Sequence, residues 1–193
     1  MPSNVTVVEK TRADVRRVVI HNKITSIAAD AFRDWTSLEE VVFAGRSQLE
    51  RIGAYAFAGA GLRKFVAPRS LKTIRAGAFM GCKSLKEVRL NEGLESVGGD
   101  GEGVFQDSGV ETIYVPSTLQ RMRRGTFACC ANLRRVKVAE GCRISMKYYV
   151  PKTVEIVIVP SQVLPLAEES SDTPEAPDEM AFRANAEEHN ETQ

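Results

Sequence analysis

Histidine is nearly absent, with two residues in 193, and cysteine and tryptophan are scarce at four and one. His21 lies near the start of the chain and His189 near its end, so neither supports a nucleophile–base–orienter set, which needs groups converging within hydrogen-bond reach. The expectation is a protein with no catalytic and no cofactor-binding residues. Cys82, Cys129, Cys130 and Cys142 form no CxxC pair and stand at no zinc spacing from histidine, so no metal-binding residues are expected either. No apolar run approaches the ~20 residues of a membrane span. The opening MPSNVTVVEKTRADVRR has no unbroken apolar stretch behind a basic start, which argues against a secretory signal. A reduced, cytoplasmic protein is the resulting expectation.

Net charge is also lacking: 26 Lys+Arg face 25 Asp+Glu. That balance conceals a division. Residues 161–193 hold nine acids and one base, Arg183, a net of −8, which leaves 25 bases and 16 acids, a net of +9, in residues 1–160. A basic body therefore carries an acidic tail. The tail is rich in Glu, Pro, Ser and Ala, a composition that buries too little apolar surface to offset ordering, so it reads as disordered.

What the chain has in abundance is repetition. Five units align: 24–43, 49–68, 71–90, 94–116 and 119–138. Four apolar positions recur. They are Ile27, Ile52, Ile74, Val97, Met122; then Phe32, Phe57, Phe79, Phe105, Phe127; then Leu38, Leu62, Leu85, Val110, Leu133; and Val41, Phe65, Val88, Ile113, Val136. Steps of 22 to 26 between equivalent residues belong to solenoids, in which one unit cannot bury its apolar side alone and stacked copies share a core. The L-x-x-V-x-L segment, short and alternating, reads as one strand. The Gly- and Ala-rich stretch around each Phe reads as a tight turn with a single helical turn. Spacing from Phe to the next Leu-type residue alternates 6, 5, 6, 5, 6, and the short units carry Gly61 or Gly109 just before it. Cys82 and Cys130 recur where unit one has Trp35, and read as small core hydrophobes. Two strands apart, about 10 Å, they are too distant for a disulfide.

On these residues the chain resembles the BspA-like leucine-rich repeats, whose units run roughly I-x-x-I-x-x-x-A-F-x-x-C-x-x-L-x-x-V-x-L-P. The resemblance covers residues 24–138, with flanking half-units at Val15–Ile20 and Val154–Pro160. It departs at GGDGEG (98–103), where unit four has three extra residues, and at unit one, which lacks the Pro after its strand. The resemblance implies a non-catalytic binding protein. Several members of the family are surface proteins that engage host or matrix proteins, so it also implies a surface or secreted adhesin-type alternative to the cytoplasmic expectation.

The expected fold class is therefore α/β: a right-handed leucine-rich-repeat solenoid with a parallel strand ladder, short helical turns on the other wall and a disordered C-terminal tail. Its expected parts are an N-terminal cap and half-repeat strand (1–23), five repeats (24–138), a C-terminal cap strand (139–160) and the tail (161–193). Residues between core positions point to the concave sheet face. One such column is Arg17, Glu40, Lys64, Glu87, Thr112, Arg135, Ile156, with alternating charge that supports strand register. The next is Val19, Val42, Val66, Arg89, Tyr114, Lys137, Ile158. Arg and aromatic residues are typical interface anchors, so the partner-binding surface is expected at Val42, Val66, Arg89, Tyr114 and Lys137, with Lys64, Glu87 and Arg135 beside them. β-branched residues also simply suit strands.

A protein partner follows, with monomer favoured. Arg121, Arg123, Arg124, Arg134, Arg135 and Lys137 gather in unit five and, with Arg69, Lys72 and Arg75, suggest a third reading, polyanion binding. Nucleic acid is disfavoured because little aromatic surface accompanies them for base stacking. The GGDGEG loop carries Asp100 and Glu102, which would repel phosphate; with Asp107 they raise weak calcium binding as a thought, against which a flexible insertion is the plainer reading.

Overall fold

The computed structural model describes residues 13–161, and these wind as a parallel β-solenoid of about six turns. The first wall is made of the longer strands. β1 (Arg17–Ile20) pairs with β3 (Glu40–Phe43), while β5 (Lys64–Val66), β7 (Glu87–Arg89), β9 (Thr112–Val115), β11 (Arg135–Ala139) and β12 (Glu155–Val159) follow one another in a five-stranded sheet. The second wall is a ladder of two-residue strands: β2 (Ser26–Ile27), β4 (Arg51–Ile52), β6 (Thr73–Ile74), β8 (Ser96–Val97) and β10 (Arg121–Met122). All pairings are parallel.

The third wall holds the recurring Phe32, Phe57, Phe79, Phe105 and Phe127. Successive rings from Phe32 to Phe127 stack face to face, with centroids 5.1, 5.3, 5.4 and 5.8 Å apart and planes within 12° of parallel. Phe57, Phe79, Phe105 and Phe127 are buried. Each such burial contributes roughly 1.5–3 kcal/mol, so the file of rings is a main support of the core. Leu49, Leu71, Leu94 and Leu119 line the corner between the first two walls, all buried.

The expected helical turns beside each Phe are not there. Among the described residues the only helix is a 3₁₀ turn at Met146–Tyr148, so the fold is a β-solenoid and not an α/β one. The reason lies in backbone angles two residues either side of Phe. Tyr55 (φ 54°), Gly59 (69°), Gly77 (62°) and Gly81 (69°) all sit in the left-handed region, as do Asp30, Asp34, Asp107, Gly125 and Cys129. An α-helix needs uninterrupted right-handed residues and bonds to the i−4 carbonyl. Here Ala56, Ala58 and Ala60 bond instead to the carbonyls three residues back, at Gly53, Tyr55 and Phe57. The alternate N–H groups are thereby freed to bond sideways. Tyr55, Phe57 and Gly59 donate to the carbonyls of Ala76, Ala78 and Met80 at 3.0, 2.8 and 2.8 Å, and Gly77, Phe79 and Gly81 donate to Glu102, Val104 and Gln106. This third ladder has a direction: each coil donates to the one after it.

Two sequence irregularities have visible consequences. Gly61 and Gly109, in the short units, press against the preceding coil; a Cβ on either would lie 2.0 Å from the carbonyl oxygen of Thr36 or Lys83. Unit one takes eleven positions from Val41 to Ile52, where the later units take nine from Phe65 to Ile74, Val88 to Val97 and Ile113 to Met122. The extra length lets β3 diverge from β5. It pairs in register only with β1, and meets coil two where Arg63 N–H donates to the Glu39 carbonyl at 3.2 Å.

Candidate interaction surface

In the five-stranded sheet, side chains between the core positions fall into two registered columns. One is Lys64, Glu87, Thr112, Arg135, Glu155, and the other is Val66, Arg89, Tyr114, Lys137, Val157. The separate pair β1–β3 contributes Arg17 opposite Glu40 and Val19 opposite Val42. Opposite charges meet across strands at Arg17–Glu40 (3.0 Å), Lys64–Glu87 (3.5 Å) and Arg135–Glu155 (2.6 Å). Solvent-exposed pairs of this kind contribute about 0–1 kcal/mol each, so they fix register more than they add stability. The alternation does not run through Glu40 to Lys64, because β3 and β5 are not paired.

Arg89 Nε lies 2.5 Å from Glu87 Oε1, tying the two columns together. Partial burial works against the Glu87 charge, but the Arg89 hydrogen bond and the charges of Arg89 and Lys64 outweigh it, and its pKa falls below the usual carboxylate value. Lys64, Arg135 and Lys137 are exposed, and Val42, Val66, Glu87 and Arg89 are half-buried. Tyr114 differs. It is only 7% exposed, and its hydroxyl donates to Glu92 Oε1 at 3.0 Å. The same carboxylate accepts the N–H and hydroxyl of Ser117, so Tyr114 ties its strand to the next corner. Burial first, and Glu92 second, raise its pKa.

The last strand is shifted by one residue from its expected frame. Glu155 and Val157, not Ile156 and Ile158, stand in the outward columns. Ile156 and Ile158 share the core-side register of Val136 and Val138, yet are 39% and 65% exposed because no described coil lies beyond them. The run Val-Glu-Ile-Val-Ile-Val alternates acceptably in either frame and contains no Leu-type anchor, so periodicity alone does not select one.

The remaining sequence candidates separate in space. The unit-five basic residues divide between two walls, with Arg121 on β10 and Arg135 and Lys137 on β11. Lys72 pairs with Glu50 at 3.1 Å. Cys82 and Cys130 are buried, each thiol donating to the preceding coil at Phe57 O (3.0 Å) and Phe105 O (2.9 Å). Burial pushes the Cys82 thiol up to about 12 and raises Cys130 as well. Glu102 accepts a hydrogen bond from the Tyr55 hydroxyl, and Asp100 lies fully in solvent. Among the described residues no three metal-ligating side chains come together. His21 is exposed; His189 and the acidic stretch from 162 onward lie outside the described residues.

Comparison with known proteins agrees with this architecture. A family model for the BspA type leucine-rich repeat region matches six copies, over residues 10–134 and 50–168. Among solved structures, a leucine-rich repeat protein from Eubacterium ventriosum is 22% identical with a TM-score of 0.63, over 71% of this chain and 36% of its own. The leucine-rich repeat protein of T. pallidum is 26% identical with a TM-score of 0.61, over 76% of this chain and 71% of its own. The chain thus spans about a third of the length of the first and most of the second. No curated protein matches. Among the described residues no helix is long and apolar enough to cross a membrane.

Proposed function

The chain belongs to the BspA-type leucine-rich repeat family, and from that premise we propose that it is a non-catalytic module binding a partner protein on the outward face of its long-strand sheet. One observation carries the reading: Val66, Arg89, Tyr114 and Lys137 stand in strict register on four neighbouring strands. A rigid row of this kind presents side chains at fixed ~4.8 Å lateral spacing, which lowers the ordering cost of recognition. Arg89 and Lys137 are its working residues, and Lys64, Glu87 and Arg135 form the charged rim. Val42 and Val66 supply apolar area. Tyr114 supports the row from beneath, so its truncation acts through the scaffold.

The test is a pull-down of the partner with Arg89→Ala/Lys137→Ala. Loss of capture at an unchanged melting temperature supports the face; unchanged capture removes it. The cytosol is the proposed location. A surface or secreted adhesin-type role, in keeping with the family, is the alternative that cell fractionation decides. A polyanion reading would require affinity for heparin that falls steeply with salt.

A further inference from the structure

The C-terminal end of the solenoid is chemically unlike its middle. In coils one to four the turn ladder donates forward, but the described stretch after coil five, residues 139–161, offers no receiving turn. The N–H groups of Gly125, Phe127 and Cys129 therefore have no acceptor among the described residues. On the adjoining wall, β10 is an edge strand among the described residues. Its Arg121 and Arg123 N–H groups bond back to Glu95 and Val97, which turns the Met122 N–H and carbonyl outward, where parallel pairing would continue. The chain does not continue the pairing there. Where a sixth short strand would fall it bends into the 3₁₀ turn at Met146–Tyr148, leaving a cleft of about 730 Å³ between that segment and β10.

The cleft is basic. Arg121, Arg123 and Arg143 line it together with Tyr148 and Tyr149, and among the described residues no acidic side chain does. Arg123 is partly engaged, with Nη1 2.5 Å from the Gly99 carbonyl and 3.9 Å from exposed Asp100. Arg121 and Arg143 have no ion-pair partner among the described residues. A free strand edge on β10 and the unpaired guanidinium groups of Arg121 and Arg143 together call for an extended, acidic occupant.

The chain supplies one. Ser161 Oγ donates to the Glu140 carbonyl at 3.0 Å, so the described chain ends against Glu140, three positions before the cleft residue Arg143. In sequence the apolar Val163, Leu164 and Leu166 come next, and then the acids Glu168, Glu169 and Asp172. Six residues from Ser161 to Ala167 reach at most about 20 Å. We propose that the cleft between β10 and the 143–149 segment is a docking site for this chain's own residues 167–173, bound in extended form with their carboxylates on Arg121, Arg123 and Arg143. The body and tail charges of +9 and −8 favour the same contact at longer range.

The experiment is amide hydrogen exchange on the full chain, at low salt and at about 0.5 M salt, where charge attraction is screened. At low salt, Glu168–Asp172 should exchange about tenfold more slowly than an unprotected chain, and high salt should remove that protection. The variant Arg121→Gln/Arg123→Gln/Arg143→Gln should abolish it at low salt, with β9 and β11 amides unchanged as proof of folding. If the variant does not fold, the salt comparison on the unaltered chain decides alone. Unprotected exchange at low salt, or protection indifferent to salt or to the arginines, overturns the proposal. So does a tail that stays free while an added poly-glutamate peptide shifts the exchange of Met122 and Tyr148, since the cleft then serves a separate acidic partner.

Discussion

Coils one and three carry the same residue types at the same places: Ile27 and Ile74, Phe32 and Phe79, Leu38 and Leu85, Val41 and Val88. Their fates differ. In coil three all four are buried, whereas in coil one Phe32 and Val41 are only half-buried. Phe79 stacks between Phe57 and Phe105 and touches Phe65; Phe32 stacks on Phe57 and meets Trp35 edge-on at 5.1 Å. A repeat position owes its burial to the coil on each side of it, not to its own residue. In a one-dimensional stack the end units are therefore weaker even when their sequence is not.

The sharpest way to break this comparison is to truncate the two rings. Phe79→Ala should cost about 3–5 kcal/mol, the usual loss for a large ring in a closed core. Phe32→Ala should cost roughly half of that, since part of its surface already faces solvent. Chemical denaturation of both variants checks this, and equal losses would mean that coil one is as closed as coil three. Glycines give the second contrast. Gly109→Ala sets a methyl against the Lys83 carbonyl and should cost about 1–3 kcal/mol, while Gly45 in the lengthened coil-one connection has nothing within 4 Å, so Gly45→Ala meets only its positive φ. A smaller effect, read as a rate, separates an exposed from a buried thiol. Cys129 is exposed and should react readily with a thiol reagent, while Cys82, buried and with a pKa near 12, should react only on unfolding. Fast labelling of Cys82 in the native state would show the middle of the stack to be open.

Much of the fold was legible in the residues because burial in a solenoid repeats with the chain. Four apolar rows named the core, and the recurring Cys82 and Cys130 were readable as core thiols from their alignment alone. The turn was misread because Ala and Gly around Phe satisfy a helical propensity argument. The missed signal was positional: Asp30, Asp34, Gly59, Gly77, Gly81, Asp107 and Gly125 stand two residues from a Phe, and such residues adopt positive φ most cheaply. The break between β3 and β5 was equally present in the longer spacing from Val41 to Ile52. The outward columns were readable as far as β11. Beyond it the apolar run Ile156–Val159 carried no anchor, and the frame slipped by one residue. That Tyr114 folds down onto Glu92 was not legible, since it depends on a side chain one coil away.

The account rests on the phenylalanines forming one file within a single cooperative core. Native-state hydrogen exchange of the Phe57, Phe79 and Phe105 amides, each of which donates to the next coil, tests this most directly. All three should open only with global unfolding, at the same free energy as the amides of Val88 and Ile113 in the opposite wall. Exchange of any one of them through its own low-energy opening, independent of the others, would contradict it.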